Sequence, residues 1–454
     1  MPGLTAQLID DVRAMAQLPL PDDVLELARH CVLDWFGVTI GGAREPLVGK
    51  LIAEAREQGG NPVCTIVANG EQTSPAYAAL INGANADALD FSDSNLTMRG
   101  HTTPAVVATA LALTEVHRRS GRQLLNAVVA GVETECRVGL LAHPALLHQG
   151  FHPTGNLAPF GAAAAAAEIL GLDAAQWDYA LGIVATQAAG LLASGGTMSK
   201  PLHSGKAAMN GVLAANLARR DFVGRSGALE APQGFLQTHG GVPDEGALSA
   251  RLSSARGRYF IRETKFKSHA ACQLTHSTIE NMLTFTRDHG VRPGDLSRIE
   301  LRVPPAFLGV CNIQEPATAL EAKFSLRAVA AMALLGDDTC DIAAYSAERV
   351  TRPELRQLRD RVTVTPQDDL MGGVAVAIAR LTDGRELTAT NDSYRRAGDL
   401  TVQRKMLEDK FASLVVPMLG RAAAMELRAA ILDVDRLGSV APLLAFSKAL
   451  GASS

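Results

Sequence analysis

GNLAPFGAAAAAAEILGLD, residues 155–173, is the stretch of this sequence that decides the fold. Alanine has the highest helix propensity, so the six consecutive alanines predict a helix. Their small side chains let neighbouring backbones approach closely, which suits the buried centre of an all-α bundle. The stretch carries Glu168 and is rich in alanine where a membrane span would be rich in leucine. We therefore predict a buried central helix and not a transmembrane one.

The composition is that of an ordinary water-soluble globular protein. The 454 residues exceed what one hydrophobic core usually serves and predict about two to three domains. Hydrophobic residues make up 47% of the chain, charged residues 20% and aromatic residues only 4%, which favours helices. The net charge of -4 gives no sign of the basic face of a nucleic-acid-binding protein. Any attraction for anions must therefore be local, and we expect no nucleic-acid partner.

The cysteines and the first residues predict a cytoplasmic location. Six cysteines are scattered along the chain without any CxxC pair, which is typical of a reduced compartment. The N-terminal segment lacks the basic and then apolar pattern of a secretory signal. We expect no membrane partner.

The apolar pattern changes from helical spacing to strand-like alternation near residue 260. RIELRVPP, residues 298–305, alternates like a half-buried strand, and residues 372–391 predict a hairpin with an Asp-Gly turn. We predict a mainly α protein with a second, α+β domain. The predicted parts are a large all-helical domain of residues 1–261, completed by C-terminal helices in 396–454, and a smaller α+β lid domain of residues 262–395.

Polar residues crowd into ADALDFSDSNLTMRGH, residues 86–101, between two apolar segments. One interpretation is a capped loop between helices, in which the aspartates and hydroxyls satisfy backbone donors. The other is a site in which Asp90, Ser94 and His101 face a ligand.

A second cluster, HQGFHPTGNLAPFG, places His152 directly before the alanine helix. The free amides of a helix N-terminus can bind a carboxylate. The alternative is that Pro153 and Gly155 only shape a turn.

A third cluster, SGGTMSKPLHSGKAAMNG, carries Lys200, His203 and Lys206 at spacings of three, with proline at a helix-start position. The small residues beside this cationic edge leave room for an anionic ligand. The spacing is not that of a phosphate-binding loop, and a solvated helix start is the alternative.

A fourth cluster, ETKFKSHAACQLTHSTIENM, contains Lys267, His269, Cys272 and His276. The last three could share a helical face as metal ligands. No HExxH motif or paired CxxC accompanies them, so we predict no metal site.

Together these segments resemble the MmgE/PrpD family, which includes 2-methylcitrate dehydratase, cis-aconitate decarboxylase and iminodisuccinate epimerase. The similar pieces, spread over nearly the whole chain, are ALDFSDS followed by a histidine, GFHPTG with FGAAAAAAEILGLD, MSKPLHSGKAAMNG, FKSHAACQLTH and KFSLRAVAAMALL. The resemblance implies the two-domain fold described above, an active site between the domains, a homodimer, and no metal or organic cofactor. The positions that match active-site groups of the decarboxylase branch are Asp90, Ser94, His101, His152, Lys200 and Lys267.

Three departures from the decarboxylase branch are visible. Cys272 stands where that branch has a histidine, and Ala328, beside Arg327, stands where it has a tyrosine. The stretch from Asp90 to His101 is longer by one residue.

The resemblance implies proton removal or replacement beside a carboxylate, with or without loss of water or carbon dioxide. We expect Lys200, Lys267 and Arg327 to bind substrate carboxylates. His101 and His152 would exchange protons, and Asp90 would orient one of them. The further substrate-binding candidates are Ser94, His203, Lys206, Cys272 and His269.

Three functions stay open at the level of the sequence. The first is a lyase that dehydrates or decarboxylates a small di- or tricarboxylate. The second is an isomerase or epimerase of a dicarboxylate such as iminodisuccinate. The third is a non-catalytic helical scaffold, which would have no need of lysines and histidines at four separated places.

Overall fold

The computed structural model describes residues 3–67, 69–241, 244–395 and 398–447. The helices up to residue 254 are α1 (Leu4–Gln17), α2 (Asp22–Gly41), α3 (Pro46–Gln58), α4 (Pro75–Ala88), α5 (Thr103–Val116), α6 (Gly121–Ala142), α7 (Ala145–His148), α8 (Pro153–Leu170), α9 (Ala174–Ala185), α10 (Ser199–Ala218), α11 (Phe235–His239) and α12 (Glu245–Ser254). The later helices are α13 (His276–His289), α14 (Ala319–Lys323), α15 (Leu326–Leu334), α16 (Ala347–Val350), α17 (Pro353–Arg359), α18 (Leu400–Leu419), α19 (Arg421–Leu432) and α20 (Ala441–Ala445). The strands are β1 (Cys64–Thr65), β2 (Gln72–Thr73), β3 (Ser94–Asn95), β4 (Thr264–Lys265), β5 (Leu296–Val303), β6 (Val362–Pro366), β7 (Val374–Leu381) and β8 (Glu386–Asp392).

Helix α8, which contains the alanine run, lies at the centre of the helical part. It packs against α5, α6, α9 and α10, and every residue from 153 to 167 is buried. A Cβ on Gly161 would lie 2.9 Å from the carbonyl oxygen of Gly131 in α6. A Cβ on Gly211 in α10 would lie 2.5 Å from the Cβ of Ala162. The small side chains thus let three helices meet at backbone distance, which confirms the prediction of a buried helix.

The later part of the chain builds a four-stranded mixed sheet in the order β6-β5-β7-β8. Strand β5 pairs parallel with β6 and antiparallel with β7, and β7 and β8 form the predicted hairpin. Ile299, Leu301 and Val303 of β5 are fully buried, as their alternation predicts. Helices α13 and α15 pack on the sheet. The fold class, mainly α with an α+β part, is therefore confirmed.

Two contacts join the first helices to later parts of the chain. Helices α18 and α19 pack against α2. Strand β3 in the polar segment pairs antiparallel with β4, so that Ser94 faces Lys265 across the ladder. This pairing brings the polar segment after α4 against the start of the α+β part.

The predicted domain boundaries stay a prediction. Residues 396–397 and 448–454 of the predicted C-terminal segment lie outside the described residues. Within the described ranges, no helix is both long enough and apolar enough to cross a membrane.

Candidate active site

The polar segment after α4 forms a loop that is fastened by buried lysines. Asp90 has a φ of +52°, a left-handed conformation that turns the chain sharply at the end of the helix. Three consecutive carbonyl oxygens of this loop each accept a hydrogen bond from a different lysine Nζ. The pairs are Leu89 with Lys323 at 2.5 Å, Asp90 with Lys267 at 2.6 Å, and Phe91 with Lys410 at 2.6 Å.

The side chain of Lys200, from the first turn of α10, is the centre of a buried ion-pair cluster. Its Nζ lies 2.8 Å from Oδ1 of Asp87 and 2.6 Å from Oδ1 of Asp90. The same Nζ lies 3.2 Å from Nε2 of His101. Lys267 approaches from the other side, with Nζ 3.1 Å from Oδ2 of Asp90. We call these five residues the Lys200 cluster.

The opposite charges in the Lys200 cluster stabilise one another, as the pKa shifts of its members indicate. Burial is the largest single influence and raises the pKa of Asp87 and of Asp90, but the surrounding charges, that of Lys200 foremost, together hold both pKa values below the ordinary range. Lys267 lowers the pKa of Asp90 further. Burial lowers the pKa of Lys200, whereas the two carboxylates raise it above its usual value. At neutral pH Asp87 and Asp90 are therefore anions and Lys200 is a cation.

The geometry of the Lys200 cluster fits an ammonium group where a metal ion could otherwise bind. Ligand atoms of Asp87, Asp90 and His101 lie within 4.8 Å of one another, which is compact enough for three ligands of one cation. However, Nζ of Lys200 lies at 2.6 to 3.2 Å from all three residues. A metal ion would have to displace this lysine, so the residues present do not fit one. The prediction of no metal remains a prediction.

His101 is oriented by the backbone of its own loop. Nδ1 lies 2.7 Å from the carbonyl oxygen of Asp93. Since a carbonyl only accepts hydrogen bonds, we assign the proton to Nδ1 and the lone pair to Nε2, which faces Lys200. The carboxylate of Asp90 lies 3.8 Å from Nε2, so the orienting group is the Asp93 carbonyl and not Asp90. Burial and the charge of Lys200 lower the pKa of His101 to about 4, which leaves the imidazole neutral.

His152 and His203 form a pair beside the Lys200 cluster. Their Nδ1 atoms lie 2.9 Å apart, so one of them donates and the other accepts. Burial lowers the pKa of both imidazoles, and Lys200 lowers that of His152 further. The backbone N–H of His101 donates to Oγ1 of Thr154, in the first turn of α8, at 3.0 Å. The fold thus brings His101, His152, His203 and Lys200 together, from segments up to 102 residues apart in the printed sequence.

Gly155 sets the position of the His152 and His203 pair. A Cβ on Gly155 would lie 2.5 Å from the carbonyl oxygen of Ala189 and 2.9 Å from the Cα of Gly190. Both are backbone atoms that cannot move alone, and Gly190 lies against the ring of His203. We expect Gly155→Ala to lower the free energy of unfolding by about 1 to 3 kcal/mol through overpacking, and to lower kcat. Chemical denaturation and steady-state kinetics measure both. Gly171→Ala, at a positive φ with open space around it, is a control for glycine loss, and equal kcat values in the two variants would contradict this role.

Two further candidates are Ser94, four residues after Asp90 on the same loop, and Cys272, whose pKa responds to the charges of Asp90 and Lys267. Oγ of Ser94 is buried and, among the described residues, has no hydrogen-bond partner. The neighbouring Cys311 thiol lowers the pKa of Cys272, and the charge of Lys267 lowers it further. The N–H of Cys272 donates to the carbonyl of Lys323 at 3.0 Å.

Three candidates make their described contacts elsewhere. Lys206 is exposed on α10, with Nζ 3.6 Å from the sulfur of Met209. His269 binds Oε1 of Glu280 at 3.0 Å and Oγ1 of Thr339 at 2.8 Å. Arg327 donates to Oδ1 of Asn312 at 2.6 Å. The structure thus shows none of these three in contact with the Lys200 cluster, within the ranges it describes.

The sequence reasoning missed two residues of this region. Asp87 lies three residues before Asp90 and shares Lys200 with it, and it stood in the quoted segment ADALD without being singled out. Lys323 begins the segment KFSL, which was quoted for the family resemblance without this lysine being singled out.

Comparisons with known proteins identify the family of this chain. The model of the MmgE/PrpD N-terminal domain matches residues 6–245, and that of the MmgE/PrpD C-terminal domain matches residues 269–436. The chain belongs to the MmgE/PrpD family. The site of this MmgE/PrpD chain thus combines Asp87, Asp90 and Lys200 from the N-terminal match with Cys272 and Lys323 from the C-terminal match.

Several curated members of the MmgE/PrpD family are similar over most of the chain. Cis-aconitate decarboxylase of Aspergillus terreus (strain NIH 2624 / FGSC A1156) is 26% identical over 471 residues, which cover 97% of this chain and 95% of the relative. Cis-aconitate decarboxylase of Mus musculus is 27% identical over 418 residues, covering 88% and 84%. The Homo sapiens protein of the same name is 26% identical over 414 residues, covering 88% and 85%.

Proposed function

We propose that this chain is a lyase that acts on a small tricarboxylate by decarboxylation, with cis-aconitate as the first substrate to test. The observation that carries the proposal is the Lys200 cluster, in which buried ammonium groups surround a neutral imidazole. The names of the curated relatives support the same reaction. The chemistry needs cations for carboxylates and for developing charge, together with a group that delivers a proton.

The electron flow in such a substrate defines what the site must do. When the carboxylate on the saturated carbon of cis-aconitate leaves as carbon dioxide, its bonding electron pair stays on that carbon. The pair delocalises through the double bond towards the carbon beside the opposite carboxylate, where negative charge develops. A proton added to that carbon completes the reaction and leaves a terminal alkene. Atoms and charge balance without an oxidant or a reductant.

The residues of the Lys200 cluster have the properties that these steps require. Lys200 and Lys267 bind substrate carboxylates in place of Asp87 and Asp90, and stabilise the charge that develops on one of them. His101 is neutral in the free protein, and a bound polyanion raises its pKa because an opposite charge favours the imidazolium. The protonated Nε2 then delivers its proton to carbon. The His152 and His203 pair lies near enough for Lys200 to act on the pKa of both imidazoles.

The test is a proton NMR time course in deuterated water with cis-aconitate, 2-methylcitrate, trans-aconitate and iminodisuccinate. We expect vinyl signals to grow with cis-aconitate, accompanied by one deuterium in the product. Growth of a different alkene from 2-methylcitrate would replace decarboxylation by dehydration. Deuterium exchange with a retained carbon skeleton would favour an epimerase, in line with Ala328 at the position where the resemblance implies a tyrosine. No change in any of the four acids would contradict the proposal.

The homodimer and the cytoplasmic location that we expect from the sequence stay predictions. Light scattering on the purified chain measures the first.

A further inference from the structure

One of the buried lysines differs from the others in its ion-pair partners. The structure buries four lysines in the ranges it describes, and a buried ammonium needs a compensating charge. Three of them have a carboxylate within 3.1 Å. These pairs are Lys200 with Asp87 and Asp90, Lys267 with Asp90, and Lys410 with Asp34 at 2.7 Å. Lys323, in contrast, has no carboxylate within ion-pair distance among the described residues.

The contacts of Lys323 leave most of its hydrogen-bonding capacity unused. An ammonium group has three N–H donors. The described acceptor is the carbonyl oxygen of Leu89 at 2.5 Å, and the ring of Tyr345 lies below, with its centroid 5.6 Å from Nζ. The side chain of Lys323 is 5% exposed, so water reaches it little. A buried cation with free donors fits an anion that arrives with the substrate.

The position of Lys323 ties it to the proposed site. Its Nζ binds the carbonyl of Leu89, and Lys267 binds the next carbonyl along the same loop, that of Asp90. Burial lowers the pKa of Lys323 to about 8, while Asp90 raises it and Lys267 lowers it. The group is therefore a cation at neutral pH, and the charges of the Lys200 cluster act on it directly.

We propose that Lys323 is the third carboxylate-binding cation of this site, so that a tricarboxylate places one carboxylate on each of Lys200, Lys267 and Lys323. The inference rests on the proposed function for the class of ligand. Asp87 and Asp90 form ion pairs with Lys200 and Lys267 in the free protein, whereas Lys323 has no carboxylate at ion-pair distance among the described residues. A carboxylate bound by Lys323 meets a cation that no protein carboxylate pairs with. It should therefore contribute more binding free energy than charge counting alone would suggest.

The experiment compares three unreactive acids that differ by one carboxylate. Propane-1,2,3-tricarboxylate has three carboxylates, glutarate lacks the central one, and methylsuccinate lacks a terminal one. Isothermal titration calorimetry at pH 7 gives the Kd of each acid for the wild type, for Lys323→Met and for Lys50→Met. Lys50 is exposed on α3, so its substitution controls for the loss of one lysine charge.

We expect the wild type and Lys50→Met to bind the tricarboxylate at least about tenfold more tightly than either dicarboxylate. Lys323→Met should lose about ten- to a hundredfold in affinity for the tricarboxylate. One of the two dicarboxylates should place no carboxylate on Lys323. For that acid, the Kd of Lys323→Met should stay within about twofold of the wild-type Kd. If the lysine were merely structural, its loss would weaken the binding of all three acids by a similar factor.

Two results would overturn the proposal. One is a wild type that binds the three acids equally well, and the other is a Lys323→Met variant that keeps the preference for the tricarboxylate or weakens all three acids alike. Circular dichroism checks that the variant folds, and Lys323→Gln replaces it if it does not, while the wild-type comparison needs no variant. If cis-aconitate is not converted but the preference for three carboxylates depends on Lys323, the proposed reaction fails and the third subsite stands.

Discussion

Replacing Lys200 with methionine is expected to lower the free energy of unfolding by about 3 to 5 kcal/mol at pH 7. The substitution keeps much of the side-chain volume but leaves the carboxylates of Asp87 and Asp90 buried without their shared cation. It also removes an ammonium that would stabilise charge on the substrate, so kcat/KM should fall by a factor on the order of 10² to 10³. Urea unfolding followed by circular dichroism measures the first effect, and the decarboxylation assay measures the second.

The pH dependence of the Lys200→Met effect gives a sharper check. In the wild type the pKa of Asp90 lies below its ordinary value of about 4, so its stabilisation is present above that pH and is lost as the pH falls through the folded value. Without Lys200 the pKa of both carboxylates rises, that of Asp87 more than that of Asp90 because Asp90 keeps Lys267, and they take up protons as the pH falls. The stability difference from the wild type should therefore shrink between pH 7 and pH 4. A difference that grows on acidification would contradict the ion-pair account.

A matched double variant separates charge from packing. Adding Asp87→Asn to Lys200→Met removes one buried charge together with its partner, so we expect part of the lost stability to return. If the double variant is less stable than Lys200→Met by the full cost of Asp87→Asn alone, the two residues are not coupled.

Replacing His101 with asparagine is expected to lower kcat by a factor on the order of 10² to 10⁴, with less than a tenfold change in KM. Asparagine can still donate to the Asp93 carbonyl in place of Nδ1 but cannot deliver a proton from the position of Nε2. Since the pKa of His101 is about 4 in the free protein, binding of a polyanion at pH 6 should draw a proton onto it. Titration calorimetry in buffers of different ionisation enthalpy should show uptake in the wild type that His101→Asn lacks.

The control for this variant is His148→Asn, an exposed histidine at the end of α7. It should keep kcat within about twofold and the proton uptake of the wild type. If His101→Asn retains both turnover and proton uptake, another group delivers the proton.

Much of the fold could be predicted because its signals are local. An alanine run predicts a closely packed helix from side-chain volume alone, and alternation in RIELRVPP predicts a half-buried strand from its period. The return of helical spacing near the C-terminus likewise predicts helices there, as α18 and α19 show. Each of these inferences needs only neighbouring residues.

The site could be predicted only in part, because its geometry depends on groups that sequence spacing does not locate. Lys206 follows Lys200 by six residues, which in a helix of 3.6 residues per turn turns it about 240° away, onto the exposed face. The orientation of His101 comes from a backbone carbonyl, which every residue has. Lys323 donates to a carbonyl 234 positions earlier in the chain, and no local sequence pattern predicts such a contact.

The lysines that bind the carbonyls of residues 89–91 come late in the chain, which affects the order of folding during synthesis. A ribosome releases Asp34 and Asp90 long before Lys200, Lys267 and Lys323, and Lys410 comes 319 residues after the carbonyl it binds. Until then these carboxylates lack the cations that compensate their burial, so water is the better solvent for them. The N-terminal helices can pack early, but this loop closes only when nearly the whole polypeptide has been made. A nascent chain that stops short of α18 therefore lacks a finished site, however well its first half has folded.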